Sequence, residues 1–140
     1  MHADLYTDGA SRGNPGPSAI GVILIIDNAT RVDLSECIGH STNNLAEYEA
    51  IIRGLKLAIS KGVSELSLFC DNLVVVNQIL GDYAVNSESL REKYDEVHRL
   101  LPEFEDCEIT WIPREKNKQA DGLASRALDR EKRNARRKLR

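Results

Sequence analysis

Four acids in this 140-residue chain stand where the sequence pattern changes. Asp8 follows a strand-like run and precedes Gly9. Glu47 lies early in a helical pattern, Asp71 ends a second strand-like run, and Asp121 opens the last helical pattern. Carboxylates brought close together repel unless protons or cations intervene. A donor set made only of oxygens suits Mg²⁺ or Mn²⁺, ions that keep waters and bind substrate phosphate. Each acid also has a local explanation. Asp8 before glycine is turn chemistry. Glu47, three residues after Asn44, fits a capping box. Asp71 fits an N-cap, and Asp121 is favoured by a helix dipole. Spacing alone leaves a carboxylate cluster possible.

The elements between them must do the positioning. Residues 2–8 read as a strand and residues 9–18 as turn chemistry throughout. Residues 19–27 are β-branched and apolar, a buried strand. Asp27-Asn28 turns the chain into a third, more exposed strand over 30–38. Ser41-Thr42-Asn43-Asn44 starts a helix whose apolar face steps through Leu45, Tyr48, Ile52, Leu55 and Ile59, and Lys61-Gly62 ends it. Strands at 65–70 and 107–112, helices at 73–80, 88–101 and 118–128, and a loop at 113–117 complete the pattern.

Short connections make the first three strands an antiparallel meander. The strand–helix–strand units that follow call for parallel neighbours with right-handed crossovers. The fold class is therefore α/β, a mixed sheet with helices packed on it. In such sheets sites form beyond the carboxyl ends of adjacent parallel strands. If the first and fourth strands are neighbours, Asp8 and Asp71 stand side by side. Parity agrees, since Tyr6 and Asp8 share one face, as do Phe69 and Asp71. Ala50, Gly54 and Ala58 on the flank of Glu47's helix permit close packing on the sheet.

Four local sequences carry more than spacing. They are Thr7-Asp8-Gly9-Ala10-Ser11-Arg12-Gly13-Asn14-Pro15-Gly16-Pro17, Ser41-Thr42-Asn43-Asn44-Leu45-Ala46-Glu47, Cys70-Asp71-Asn72 and Pro113-Arg114-Glu115-Lys116-Asn117-Lys118-Gln119-Ala120-Asp121-Gly122-Leu123-Ala124. In order, across residues 1–128, they closely resemble type 1 ribonuclease H. The resemblance implies a ribonuclease H-like mixed five-stranded sheet of order 3-2-1-4-5, strand 2 antiparallel, flanked by helices. It implies an endonuclease that hydrolyses the RNA strand of RNA–DNA hybrids, leaving 5′-phosphate and 3′-hydroxyl ends. Asp8, Glu47, Asp71 and Asp121 become catalytic metal ligands for two Mg²⁺ ions, with Mn²⁺ an alternative, roughly 4 Å apart. Asp8 and Asp71 would share the ions, Glu47 would serve the leaving-group side and Asp121 the water side. Gly9, Ala10, Ser11 and Asn14, with Glu47, would meet the RNA strand at its 2′-hydroxyls. Thr42, Asn43 and Asn44 would meet the DNA strand and its phosphate.

The chain departs from the family pattern twice. Many members carry a histidine in the loop before the last acid. Here Arg114 and Glu115 are the nearest polar substitutes, and Arg114 is expected to fill part of that catalytic role. The three histidines, His2, His40 and His98, read as ordinary polar residues. Many members also carry a basic, Trp-containing protrusion, whereas Gly81–Leu90 is short and nearly free of cations. These departures keep open a binding module of the same fold with weak catalysis, or a nuclease that also cuts double-stranded RNA. A related 3′–5′ exonuclease would begin with Asp-x-Glu, and Ala10 counts against it.

The formal net charge of −3 hides an asymmetry. Residues 129–140 hold seven Lys and Arg against two acids, while residues 1–128 hold 12 Lys and Arg against 20 acids, a formal −8. This divides the chain into a catalytic domain, 1–128, and a basic tail, 129–140, that could contact nucleic-acid phosphates. The longest apolar run, Ala19–Ile26, is too short to span a bilayer. Cys37, Cys70 and Cys107 are odd in number and widely spaced, which argues against a disulfide framework or zinc knuckle and for small buried apolar residues. A monomeric cytoplasmic protein with nothing preceding the fold is expected.

Overall fold

The computed structural model describes residues 1–138; Leu139 and Arg140, the end of the expected tail, lie outside the described residues. Strand β1 (His2–Ser11) lies at the centre of a five-stranded sheet. The others are β2 (Gly16–Ile26), β3 (Thr30–Ser41), β4 (Glu65–Cys70) and β5 (Asp106–Trp111), in the order β3-β2-β1-β4-β5. The β1–β2 and β2–β3 pairs are antiparallel, and β1–β4 and β4–β5 are parallel. The apolar run of β2 supplies Ala19, Ile20, Val22, Ile23 and Leu24 to the interior, as a strand covered on both faces must. Asp27 and Asn28 take φ of 50° and 57°, the left-handed pair a tight hairpin requires.

Helices α1 (Asn43–Ser60), α2 (Leu73–Leu80) and α3 (Glu88–Leu100) share one core with the sheet. Leu5, Val22, Leu24, Tyr48, Ile51, Leu55, Leu68, Val75 and Val97 are its fully buried centre. The small flank of α1 does what its composition suggests. Ala50 and Ala58 are fully buried, and a Cβ on Gly54 would come within 2.9 Å of the Leu5 side chain. Helix α4 (Lys118–Lys138) covers the opposite face, through smaller patches around Ile23, Ala120 and Leu123 and around Ala19, Ala127 and Leu128.

Three local expectations are corrected. The stretch 9–18 is not turn throughout: β1 continues to Ser11 and β2 starts at Gly16, with Gly9, Ala10 and Ser11 paired to Ile20, Ala19 and Ser18. Ladder pairing overrides the turn propensity of glycine and serine. Asp8 therefore lies inside β1, and what stops beside it is the parallel β1–β4 ladder, whose last pair is Thr7–Cys70. The N-cap of α1 is Thr42, whose Oγ1 accepts from Leu45 N at 3.3 Å, so the Asn44–Glu47 capping box does not form and Glu47 sits in the second turn. Of the cysteines only Cys70 is buried, while Cys37, on edge strand β3, is exposed with Sγ donating to Ala127 O at 3.2 Å. Helix α4 continues from residue 128 into the basic tail, whose described part is helical.

Candidate metal-binding active site

Two glycines on opposite faces of the sheet decide what surrounds Asp8. On the α1 face, a Cβ on Gly9 would stand 2.2 Å from Ala46 C and 2.4 Å from Glu47 N. Only glycine lets the backbone of α1 come so near β1. On the α4 face, Asp8 pairs with Gly21, where a Cβ would stand 2.0 Å from Ala120 O. Helix α4 settles into that space, and Asp121 follows Ala120. Each helix thus lands beside Asp8 and brings one acid.

The third acid comes along the sheet. Asp71 is the first residue beyond β4, next in register after Thr7–Cys70, so the strand-neighbour argument holds although Asp8 is not a strand terminus. Asp8, Glu47 and Asp71 each offer a carboxylate oxygen within 4.8 Å of the others. Asp121 lies within hydrogen-bonding reach of Asp8. All four line one cleft, together with Gly9, Ala10, Ser11, Asn43, Asn44 and Arg114. Asn14 and Thr42 line the adjoining hollow, shared by Asn43 and Asn44. Glu115 faces a different hollow, beside Tyr6 and Ile23, which separates it from Arg114. None of the three histidines lines the acid cleft.

The local explanations for three of the acids fall away. Asp8 is in no turn, Glu47 caps nothing, and the α2 N-cap is Asn72, whose Oδ1 accepts from Val75 N at 3.1 Å. Asp121 does sit in the first turn of its helix. Asp8 and Glu47 are each 5% exposed, an extreme burial for carboxylates. Burial first, then the charge of Glu47, pushes the Asp8 carboxyl far above the carboxylate range. Burial raises Glu47 too, opposed by its hydrogen bonds with Asp8, the Gly9 N–H and the Cys70 thiol. Without a cation this group must retain protons. Buried, close and built only of oxygens, the set fits hard divalent cations such as Mg²⁺.

Residues not singled out in the sequence hold this group in place. Asn72 Nδ2 donates to Asn44 Oδ1 at 2.9 Å, tying the start of α2 to α1. Trp111 Nε1 donates to Asp71 O at 3.1 Å. Asn117 Nδ2 donates to Asp71 Oδ2 at 2.8 Å and to Thr7 O at 2.9 Å. Asparagine just before a helix is a recognisable cap signal, but its side chain turns to the acids instead, which no local pattern announces.

The sequence and the fold have counterparts. A family model described as "Reverse transcriptase-like" matches residues 6–127. Ribonuclease HI of Halobacterium salinarum is 42% identical over 130 residues, 92% of this chain. A crystal structure of RNase H1 from Halobacterium salinarum superposes with a TM-score of 0.89 at 41% identity, covering 92% of this chain and 98% of that one. LC11-RNase H1, solved in complex with RNA/DNA hybrid, gives 0.86 at 36% identity, with 92% and 98% covered. The chain spans 64% of the length of the Halobacterium ribonuclease HI and 36% of a Mycobacterium bovis protein that is 37% identical. The sheet order, the two glycine landings and the acids they assemble, joined to these matches, place the chain in the ribonuclease H family.

Proposed function

We propose that residues 1–128 form a metal-dependent endonuclease that hydrolyses the RNA strand of RNA–DNA hybrids and leaves 5′-phosphate and 3′-hydroxyl ends. The observation that carries this reading is the assembly of Asp8, Glu47 and Asp71 within 4.8 Å, in a cleft that also holds Asp121. The relative solved on an RNA/DNA hybrid supports the substrate class. The four acids would hold two Mg²⁺ ions, or Mn²⁺, which when bound activate the attacking water and neutralise charge at the departing 3′ oxygen. Asp8 and Asp71 would be the shared ligands; Asp8 is the acid that lies close to all three others. Glu47 serves the leaving-group side and Asp121 the water side.

The rest of the cleft reads the strands. Ser11 Oγ has one proton to donate, to Gly13 O or Ser41 O, so its lone pairs are left to accept from a 2′-hydroxyl beside Gly9 and Ala10. Asn14 Oδ1 accepts from Asn43 N at 3.0 Å and so ties the hairpin, on the RNA side, to the helix start on the DNA side. Asn44 commits its Oδ1 to Asn72, which leaves its amide N–H groups to donate to the DNA strand, with Thr42 and Asn43 at the phosphate. Arg114, the cation in the cleft, takes part of the proton and product handling.

Beyond Leu128 every described side chain of α4 to Arg137 is exposed. The base of this arm is pinned by Arg12 Nη2–Asp129 Oδ1 at 2.6 Å and Arg130 Nη2–Ser35 O at 2.8 Å. Arg12 follows Ser11, so the arm starts near the cleft, and it contacts substrate phosphates. Removing residues 129–140 should weaken hybrid binding and flatten its salt slope by about one unit for each phosphate no longer neutralised; an unchanged slope would count against it. We propose a monomer acting in the cytoplasm, where its free cysteines would stay reduced; among the described residues no helix is long and apolar enough to cross a membrane.

The deciding assay compares cleavage of labelled hybrid, double-stranded RNA and double-stranded DNA with Mg²⁺, Mn²⁺ or chelator. Hybrid-selective, metal-dependent cutting that Asp71→Asn lowers by at least about a hundredfold is expected. Cutting of double-stranded RNA at a similar rate would favour the relaxed-range reading, which the short, cation-free connection 82–87 supports. Binding without cutting would favour the binding module.

A further inference from the structure

We infer that Asn117 is the positioning residue of the acid cleft: its side-chain amide holds Asp71 in the rotamer that receives a divalent cation. The proposal rests on the metal-bearing reading of the cleft. Asn117 is 2% exposed, although it ends a surface loop. Its four polar connections reach Asp71, the residue before Asp8, and the main chain of Arg114 and Asp121. The main-chain N–H donates to Arg114 O at 2.9 Å, and the main-chain oxygen accepts from Asp121 N at 3.1 Å. The amide nitrogen donates to Asp71 Oδ2 at 2.8 Å and to Thr7 O, one residue before Asp8, at 2.9 Å.

The chemistry of the residue matches this task. Both neighbours of Nδ2 are acceptors only, so the orientation of the amide is forced. A neutral donor satisfies a carboxylate without the charge that a lysine or arginine would add, and so leaves the full negative charge for a cation. One Asp71 oxygen is bound to Nδ2, which restrains the side chain and leaves the other oxygen without a bond to Asn117. The orientation also leaves Asn117 Oδ1 buried with no protein partner. A residue selected only to join the loop to the sheet would gain by satisfying that atom. Hydrogen bonds that orient a metal-binding side chain commonly control affinity by about tenfold to a hundredfold.

The test is a Mn²⁺ titration of the intact protein by calorimetry, comparing wild type, Asn117→Ala and the milder Asn117→Ser, with thermal melts alongside. We expect both variants to bind Mn²⁺ about tenfold to a hundredfold more weakly. The Mg²⁺ concentration for half-maximal hybrid cleavage should rise by the same factor, with the KM for hybrid changed less than about twofold. Lower melting temperatures with wild-type metal midpoints would make Asn117 merely structural and overturn the proposal. A second readout needs no Asn117 variant. The two Nδ2 proton resonances of wild-type Asn117 should shift as Mg²⁺ is added, and Asp71→Ala should abolish the response. Resonances indifferent to Mg²⁺ in a protein that binds it would overturn the proposal and leave the metal reading standing. Wild type that binds neither ion would overturn both.

Discussion

The two glycine landings, Gly9 beneath α1 and Gly21 beneath α4, bring acids to the same point by unequal means. At Gly9 the missing side chain faces backbone of a helix anchored in the main core. At Gly21 it faces backbone of a helix anchored by a few alanines and leucines. Glu47 arrives buried and Asp121 half-buried. Helix α1 cannot give way without disturbing Leu5, Ile51 and Leu55, whereas α4 can shift on its smaller patches. The α1 side of the site is therefore tied to folding, and the α4 side can be tuned separately.

Alanine at each glycine tests this difference. Gly9→Ala should have the largest effect, destabilising by about 3 kcal/mol or more through overpacking against backbone, with hybrid cleavage abolished. Gly21→Ala should cost about 1–3 kcal/mol, yet lower cleavage about a hundredfold by displacing Asp121 by roughly 1 Å. Paired melts and rate measurements decide the matter. Equal loss of stability in the two variants would break the comparison.

Neutralising the two delivered acids sharpens it. In chelator at neutral pH, Glu47→Gln should raise stability by on the order of 1 kcal/mol, because it removes a charge that burial and the neighbouring Asp71 both oppose, while abolishing cleavage. Asp121→Asn should change stability by about 0.5 kcal/mol or less. A stability loss in Glu47→Gln would sink this account of the site.

A last test lies in the pH dependence of the metal-free protein. Burial and mutual repulsion raise the Asp8 and Glu47 carboxyls above the value near 4 of an unfolded chain. The native state then keeps protons that the unfolded chain releases, so stability falls as pH rises from about 4 through neutrality. Mg²⁺ should displace those protons and flatten the slope. Melts in chelator that do not fall over this range would remove the electrostatic argument for a cation.

Much of the site is legible in the chain. Strand parity lets Asp8 and Asp71 share a face, and the strand order that the family resemblance implies puts them side by side. The 3.6-residue period gives α1 its buried face and small flank. The boundaries are less legible: Gly9–Ser11 and Gly16–Ser18 have turn composition but join the ladder, because pairing with a neighbouring strand outweighs local preference. The cap of α1 falls at Thr42 rather than Asn44 for a similar reason, since the two carry comparable local signals and the packing of the helix chooses between them.

The sequence by itself determined the order of elements, the oxygen-only chemistry of Asp8, Glu47, Asp71 and Asp121, and the charge contrast between the body and the tail. These depend on residue type and period, which are properties of the chain alone. Only the tertiary structure decided that Gly9 and Gly21 act as landings, that Arg114 shares the cleft while Glu115 leaves it, and that Asn117 reaches Asp71 across 46 positions. Each depends on how closely two distant segments pack, and that distance is set by the whole core.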